Sequence, residues 1–294
     1  MKSKLFAVVA GAAMVVSSSA FAESTDLSLA FAGVNRTYIL HIPEHYDPSK
    51  SYPLMLVFHG KGGKAARMEQ TTGFDAVADR NNFFVAYPDT IGAKWKLAGE
   101  NNDIIFNEYL IQQIESNYPI DPTRIYISGF SQGGGMAQKL ACVDTDKIAG
   151  VAVVSENLNP RSDSACHPSQ PITFVLFHGT ADPISPYNGG PNGLSGAQTF
   201  SAQQTAQFWA QSDGCPGNPV VTSLPDKLSD GTTNTDTEQS WSDCNQNTTV
   251  TFYTIQGGGH AWPGGMARKT RFGPISQNIN ASQIIWQTLH QSKR

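Results

Sequence analysis

A serine can attack a carbonyl carbon only if its hydroxyl is presented without crowding and a base stands ready to take its proton. The stretch Arg124-Ile-Tyr-Ile-Ser-Gly-Phe-Ser131-Gln-Gly-Gly-Gly-Met136 meets the first condition. Within it, Gly129 to Gly133 reads Gly-x-Ser-x-Gly. An apolar, β-prone run (Ile125 to Ile127) precedes it and a helix-compatible run (Met136 to Cys142) follows. A serine on a sharp strand-to-helix turn needs neighbours that lack Cβ atoms, and Gly129 and Gly133 supply them. The following helix would aim its first amides at the same spot. A glycine-rich chain produces the pentapeptide by chance, so the strand-turn-helix setting is what makes Ser131 the candidate nucleophile.

A serine hydroxyl needs a base, and the base needs an orienting acid. In the α/β-hydrolase order these follow the serine as Asp or Glu and then His, each on a loop after a later strand. Asp182, in Gly179-Thr-Ala-Asp182, lies just past the apolar run Phe174 to His178. An Asp before Pro183 is also an ordinary turn residue. Of the seven histidines, only His260 has both the order and the position, in Gln256-Gly-Gly-Gly-His260 after the run Val250 to Ile255. His59 and His178 stand at strand ends, where hydrogen bonds to loops are the expected role.

An oxyanion needs two backbone amides aimed at it. One belongs to the residue after the nucleophile, Gln132. The other belongs to the loop His59-Gly-Lys-Gly-Gly63, with Lys61 the first choice and Gly62 the reserve. Aromatic walls for the substrate are expected from Phe130, Tyr187, Trp262 and Trp95; Phe130 and Trp95 suit core packing equally well.

Elements that would position these residues can be read from the apolar pattern. Leu27 to Phe31 and Thr37 to Ile42 read as a hairpin around Gly33. Pro53 to Phe58, Phe83 to Tyr87, Ile125 to Ser128, Val151 to Val154 and Thr173 to Phe177 read as short buried strands. Val250 to Ile255 reads as a strand of alternating character. Helical patterns cover Met68 to Asn81, Asn102 to Ser116, Gln132 to Cys142, Phe200 to Ser212 and Asn280 to Ser292. Short apolar strands alternating with helices imply an α/β protein, with a mostly parallel central sheet and helices on both faces. The antiparallel start fits the α/β-hydrolase fold. Residues 214–247, poor in apolar side chains, read as a surface excursion.

Lys2 and Lys4, the apolar run Leu5 to Val16 and Ala20-Phe-Ala22 have the form of a secretory signal peptide, leaving residues 23–294 as one catalytic domain. Removing that leader takes away two lysines and no acid, so the formal charge of −4 falls by two. Such a balance gives no case for nucleic acid or anionic membrane as partner. The expected location is secreted or periplasmic. Four cysteines, Cys142, Cys166, Cys215 and Cys244, then suggest two disulfides, for which three connectivities exist; sequential pairing closes the shortest loops. No Cys-x-x-Cys spacing occurs, and no metal or organic cofactor is expected.

The chain resembles the secreted esterases of the poly(3-hydroxybutyrate) depolymerase type, which include feruloyl esterases of carbohydrate esterase family 1. The resemblance rests on Leu56-Val-Phe-His59-Gly-x-Gly-Gly63, on Gly129-Phe-Ser131-Gln-Gly-Gly134, on His178-Gly-Thr-Ala-Asp182 with Pro186-Tyr-Asn-Gly-Gly190, and on Gly258-Gly-His260-Ala-Trp-Pro-Gly264. Asn102-Asp103-x-x-Phe106 adds to it. It implies Ser131, Asp182 and His260 as a triad, and its cysteine pairs resemble the sequential pairing. Lys61 departs from the small or cysteine residue of relatives, and Gly92-Ala-Lys-Trp95 is shorter. Both flank the expected pocket.

The expected function is a serine carboxylic ester hydrolase acting on a small or oligomeric ester, feruloyl or other soluble aryl or short-chain esters first. The alternatives are a polyhydroxybutyrate depolymerase or oligomer hydrolase, and an acyltransferase on the same fold. A non-catalytic binding protein should have lost a triad member, and none is lost. Oligomeric state is not encoded in any motif of the chain.

Overall fold

The computed structural model describes residues 22–99, 101–160, 166–226, 235–266 and 270–294. The proposed leader lies almost wholly outside the described residues. Among them, β1 (Glu23–Phe31), β2 (Val34–Ile42), β3 (Tyr52–Phe58), β4 (Phe84–Pro88), β5 (Ile120–Phe130), β6 (Ile148–Val154) and β7 (Thr173–Gly179) form most of one sheet. The short strands β8 (Gly190–Pro191) and β9 (Gln198–Thr199) pair apart from it. The strands β10 (Val220–Ser223), β11 (Thr237–Trp241) and β12 (Val250–Ile255) complete it in the order β1-β2-β4-β3-β5-β6-β7-β12-β11-β10. Every neighbour from β4 through β12 is parallel, and the pairs at both ends are antiparallel. This is the α/β-hydrolase sheet.

Every residue of β3, β4, β6, β7 and β12 is buried, because helices lie on both faces. Leu54, Leu56 and Phe58 join α3 (Asn102–Asn117), α4 (Gln132–Val143) and α5 (Ala202–Ser212) in one apolar core. Met55 and Val57 point the other way, to α1 (Ala65–Thr72), α2 (Phe74–Asn81) and α6 (Ala281–Leu289). The alternation expected for Val250 to Ile255 is therefore absent; Thr251 and Thr254 are buried with the apolar residues.

Two further readings need correction. The helix expected over Met68 to Asn81 is two helices, α1 and α2. They are split at Gly73, whose φ of 59° puts it in the left-handed region while its amide caps α1 on the Glu69 carbonyl. Residues 214–247 do more than loop out. They add β10 and β11 to the sheet edge, and Cys215–Cys244 ties the start of the segment near its end. The second bridge joins Cys142, at the end of α4, to Cys166. Pairing is thus sequential.

Two contacts position the site from beneath. Arg36 on β2, 1% exposed, pairs with Asp103 in the first turn of α3 at 3.0 Å and lies over the Phe106 ring at 4.0 Å. Asp103 also accepts from the Lys96 amide, which anchors the loop that carries Trp95. At the elbow, α4 begins so close to the ends of β3 and β5 that a Cβ on Gly129 would collide with the Gly133 carbonyl. One on Gly133 would collide with the carbonyls of Phe58 and His59.

These contacts predict that Gly129→Ala destabilises the fold by more than about 3 kcal/mol, through overpacking against backbone that cannot move aside. Thermal melting would read this, and a melting temperature equal to wild type would contradict it. A second expectation concerns Asp213 after α5, a wholly buried residue whose carboxylate accepts from the Ile172 amide. Burial pushes its carboxyl up to about 7 from 3.8. The folded state then holds a proton that the unfolded chain releases, so stability falls as pH rises from 3.8 towards 7. Asp213→Asn should abolish that part of the fall, up to roughly 4 kcal/mol. Parallel stability-versus-pH curves for the two proteins would contradict it.

Candidate active site

Ser131 joins β5 to α4 with φ 53° and ψ −127°. A positive φ at a residue other than glycine costs on the order of 1–3 kcal/mol and persists only where the surroundings impose it. They do so here: the Ser131 amide donates to the Val154 carbonyl (2.9 Å), and its carbonyl accepts from Gly135 (3.1 Å). The next residue, Gln132, opens α4, where the first amides have no partner within the helix. Its side chain accepts from the Trp95 amide at 3.0 Å, which fixes the turn from outside.

Asp182 sits on a tight turn after β7. One carboxylate oxygen accepts from the amides of Ile184 (2.8 Å) and Ser185 (2.9 Å). The other meets His260 Nδ1 at 2.8 Å, and neither side chain is more than 3% exposed. The turn role and the partner role therefore coexist in one residue. A carboxylate at Nδ1 selects the tautomer that carries its proton there and leaves Nε2 basic. Cross-bonds hold the two loops together: Thr180 N to Ile255 O (3.0 Å), Ala181 N to Gly258 O (2.9 Å) and Gly257 N to Thr180 Oγ1 (2.8 Å). The His260 ring leans on Phe130 with centroids 4.9 Å apart.

Ser131 and His260 line the same cavity, of about 670 Å³. So do Phe130 and the loop from His59 to Lys64. That loop abuts the serine, since a Cβ on Gly60 would lie 3.2 Å from Ser131 Cβ. The Gly62 amide donates to the Ala93 carbonyl at 2.6 Å, so the reserve oxyanion donor is already engaged. Lys61 faces the cavity.

Three expected wall residues lie elsewhere. Trp262, 1% exposed, donates to Ser282 Oγ and packs on Phe74. Trp95, 2% exposed, donates to the His59 carbonyl at 2.7 Å and meets Phe58 edge-on, which makes it the brace of the oxyanion loop. Tyr187 bonds Thr254 Oγ1 and packs on His178 and Phe252. The walls are instead Met68, Ile184, Leu194 and Phe272, with Lys64, Arg67 and Arg271. No spacing rule marks these residues in the sequence, because four separate segments bring them together.

The electrostatics follow from burial. His178, behind the pair, bonds the Gly179 carbonyl and Ser185. Desolvation lowers it to about 4 against the pull of Asp182, so it stays neutral at neutral pH. Desolvation also holds His59 below its ordinary value, with its Nδ1 on the Gly60 carbonyl at 2.8 Å. Glu156, beside Gly134 after β6, is pushed up to about 8 by burial and then by the charge of Asp182. Among the described residues, no group of three His, Cys, Asp or Glu could hold a metal ion.

A model of the phospholipase/carboxylesterase family matches residues 100–206, a span that includes Ser131 and Asp182. NocK of Nocardia uniformis subsp. tsuyamanensis, classed as an esterase, is 30% identical over 266 residues, covering 83% of this chain and 75% of its own. Feruloyl esterase B of Piromyces equi is 29% identical over 77% of this chain, which spans only 42% of that protein. The structure of a ferulic acid esterase from Anaeromyces mucronatus, in complex with ferulic acid, superposes with a TM-score of 0.60 at 14% identity, covering 93% of this chain and 91% of that one. The last likeness is one of fold. The match to NocK, taken with the fold, establishes that the chain belongs to the α/β-hydrolase esterases.

Proposed function

We propose that the protein hydrolyses carboxylic esters through a serine acyl-enzyme, with feruloyl or other soluble aryl and short-chain esters as substrates. The observation that carries this reading is the buried Asp182–His260 pair at 2.8 Å, sharing one cavity with Ser131 at its strained elbow. Ser131 Oγ attacks the ester carbonyl while His260 Nε2 takes its proton. Asp182 keeps the ring in its tautomer and stabilises the imidazolium. The amides of Gln132 and Lys61 hold the oxyanion. As the tetrahedral species collapses, His260 gives the proton to the departing alcohol. Water then repeats the cycle on the acyl-enzyme and releases the acid.

The cavity has the size of a small-molecule pocket, and Phe130, Met68 and Phe272 offer apolar surface to a flat acyl group. Two disulfides fit an oxidising compartment, which supports secretion or residence in the periplasm.

Ser131→Ala should keep the wild-type melting temperature and lower turnover of methyl ferulate and 4-nitrophenyl acetate by at least ~1,000-fold. A fluorophosphonate probe should label wild-type protein at Ser131 alone. Labelling at another residue, or near-full activity in the variant, would refute the assignment.

A further inference from the structure

The elbow uses Gly133; the two glycines that follow it serve another end. A Cβ on Gly134 would lie 2.9 Å from Val153 Cγ1 and 3.1 Å from Glu156 Cβ, and one on Gly135 would lie 2.9 Å from Leu97 Cδ1. Glu156 and Leu97 thereby close onto the surface of α4. With Gly135, Gln138, Asn157 and Leu158 they line a second cavity, of about 380 Å³. It stands beside the catalytic one. The loop between β4 and α3 gives Ala93 to the first cavity and Leu97 to the second, and the loop between β8 and β9 gives Leu194 to the first and Ala197 to the second. Along α4, Ser131 and Gly135 are one turn apart, about 6 Å.

The polar groups of this lining are underused. Asn157, 3% exposed, donates from Nδ2 to the Pro186 carbonyl, and its Oδ1 has no partner among the described residues. Gln138, 2% exposed, accepts at Oε1 from Trp209, which leaves Nε2 as a donor. The Glu156 carboxyl makes no hydrogen bond among the described residues; the charge that reaches it is that of Asp182. Burial pushes it up to about 8, so at neutral pH it is a neutral donor and acceptor. A buried polar atom without a partner is costly, and one water fills only roughly 30 Å³. The cavity has the volume of a small-molecule site.

We infer that this cavity is a second ligand site, for a neutral group that carries several hydroxyls, held by Glu156, Asn157 and Gln138 with its carbon face on Leu97 and Leu158. A carboxylate offers no donor to Asn157 Oδ1. An ammonium meets Lys139, which also lines the cavity. A hydrocarbon leaves all three polar side chains unpaired. A hydroxyl donates and accepts at once, and so answers each of them. Two sources present that chemistry: a free polyol, or the alcohol part of an ester whose carbonyl lies at Ser131.

The test titrates isotope-labelled protein with xylitol and follows the backbone amides by NMR. Saturable shifts should appear at Gly135, Gln138 and Leu158, with a Kd of about 1–10 mM for a ligand of roughly ten non-hydrogen atoms. Glu156→Ala and Gln138→Leu should each weaken binding about fivefold or more, and Glu156→Gln, which keeps a donor and an acceptor, should restore it. Melting curves establish that each variant is folded. Free binding needs no turnover, so failure of the esterase reading would leave this test intact. A kinetic arm distinguishes the sources. A kcat/KM for 1-O-butyryl xylitol about tenfold or more above that for methyl butyrate, with the excess lost in Glu156→Ala, places the hydroxyls on the substrate; equal values, with xylitol still bound, assign the site to a free polyol. Absence of saturable shifts up to about 100 mM xylitol would mean that the cavity holds water only, and the inference fails. It fails equally if pentanoate binds there more tightly than xylitol, or if Glu156→Ala and Gln138→Leu leave xylitol binding unchanged.

Discussion

The site depends on one steric constraint, the close approach of the first turn of α4 to the ends of β3 and β5. The helix can come this near only because Gly129 and Gly133 present no Cβ to the carbonyls of Gly133, Phe58 and His59. The approach holds Ser131 at a φ of 53° and sets the His59–Lys64 loop against the serine. Strain at the turn is offset by the sheet beneath it. The Val154 carbonyl holds the Ser131 amide, and β5 lies between β3 and β6 with every residue from Ile125 to Phe130 buried. Local geometry at the nucleophile is thus a consequence of packing across three strands.

The second layer is electrostatic. The aspartate that meets His260 accepts from two backbone amides, and burial favours the neutral forms of its neighbours His178 and Glu156. His178 is lowered to about 4 and Glu156 raised to about 8. The Asp182 carboxylate therefore meets a single histidine at hydrogen-bond distance, in a buried setting where charge interactions are strong. At the cavity mouth the balance reverses, and exposed cations dominate.

The elements that build the sheet were legible in the chain because doubly covered strands must be continuously apolar. Val151 to Val154 and Thr173 to Phe177 have no other reading. The elbow was legible for a related reason, since only glycine fits where a helix meets two strand ends. Pocket walls were not. Trp95, Trp262 and Tyr187 sit next to functional residues in sequence, yet each indole or phenol found a backbone or hydroxyl partner in the interior. Side chains that do line the cavity, such as Met68, Leu194 and Phe272, come from segments whose mutual approach is a tertiary fact with no local signal. The split at Gly73 was hidden by a helical period that runs through it. The strands β10 and β11 were hidden because they are short and lie in a segment poor in apolar side chains, where strands at the rim of a sheet that face water need no apolar run.

The most direct test of the serine mechanism is to catch the covalent intermediate. The enzyme would be mixed with an aryl ester that deacylates slowly, quenched in acid within the first turnover, digested and read by mass spectrometry. The expected result is the mass of the acyl group on the peptide that contains Ser131, absent after full turnover. An acyl group on any other residue, or product formation with the Ser131 peptide never modified, would contradict it.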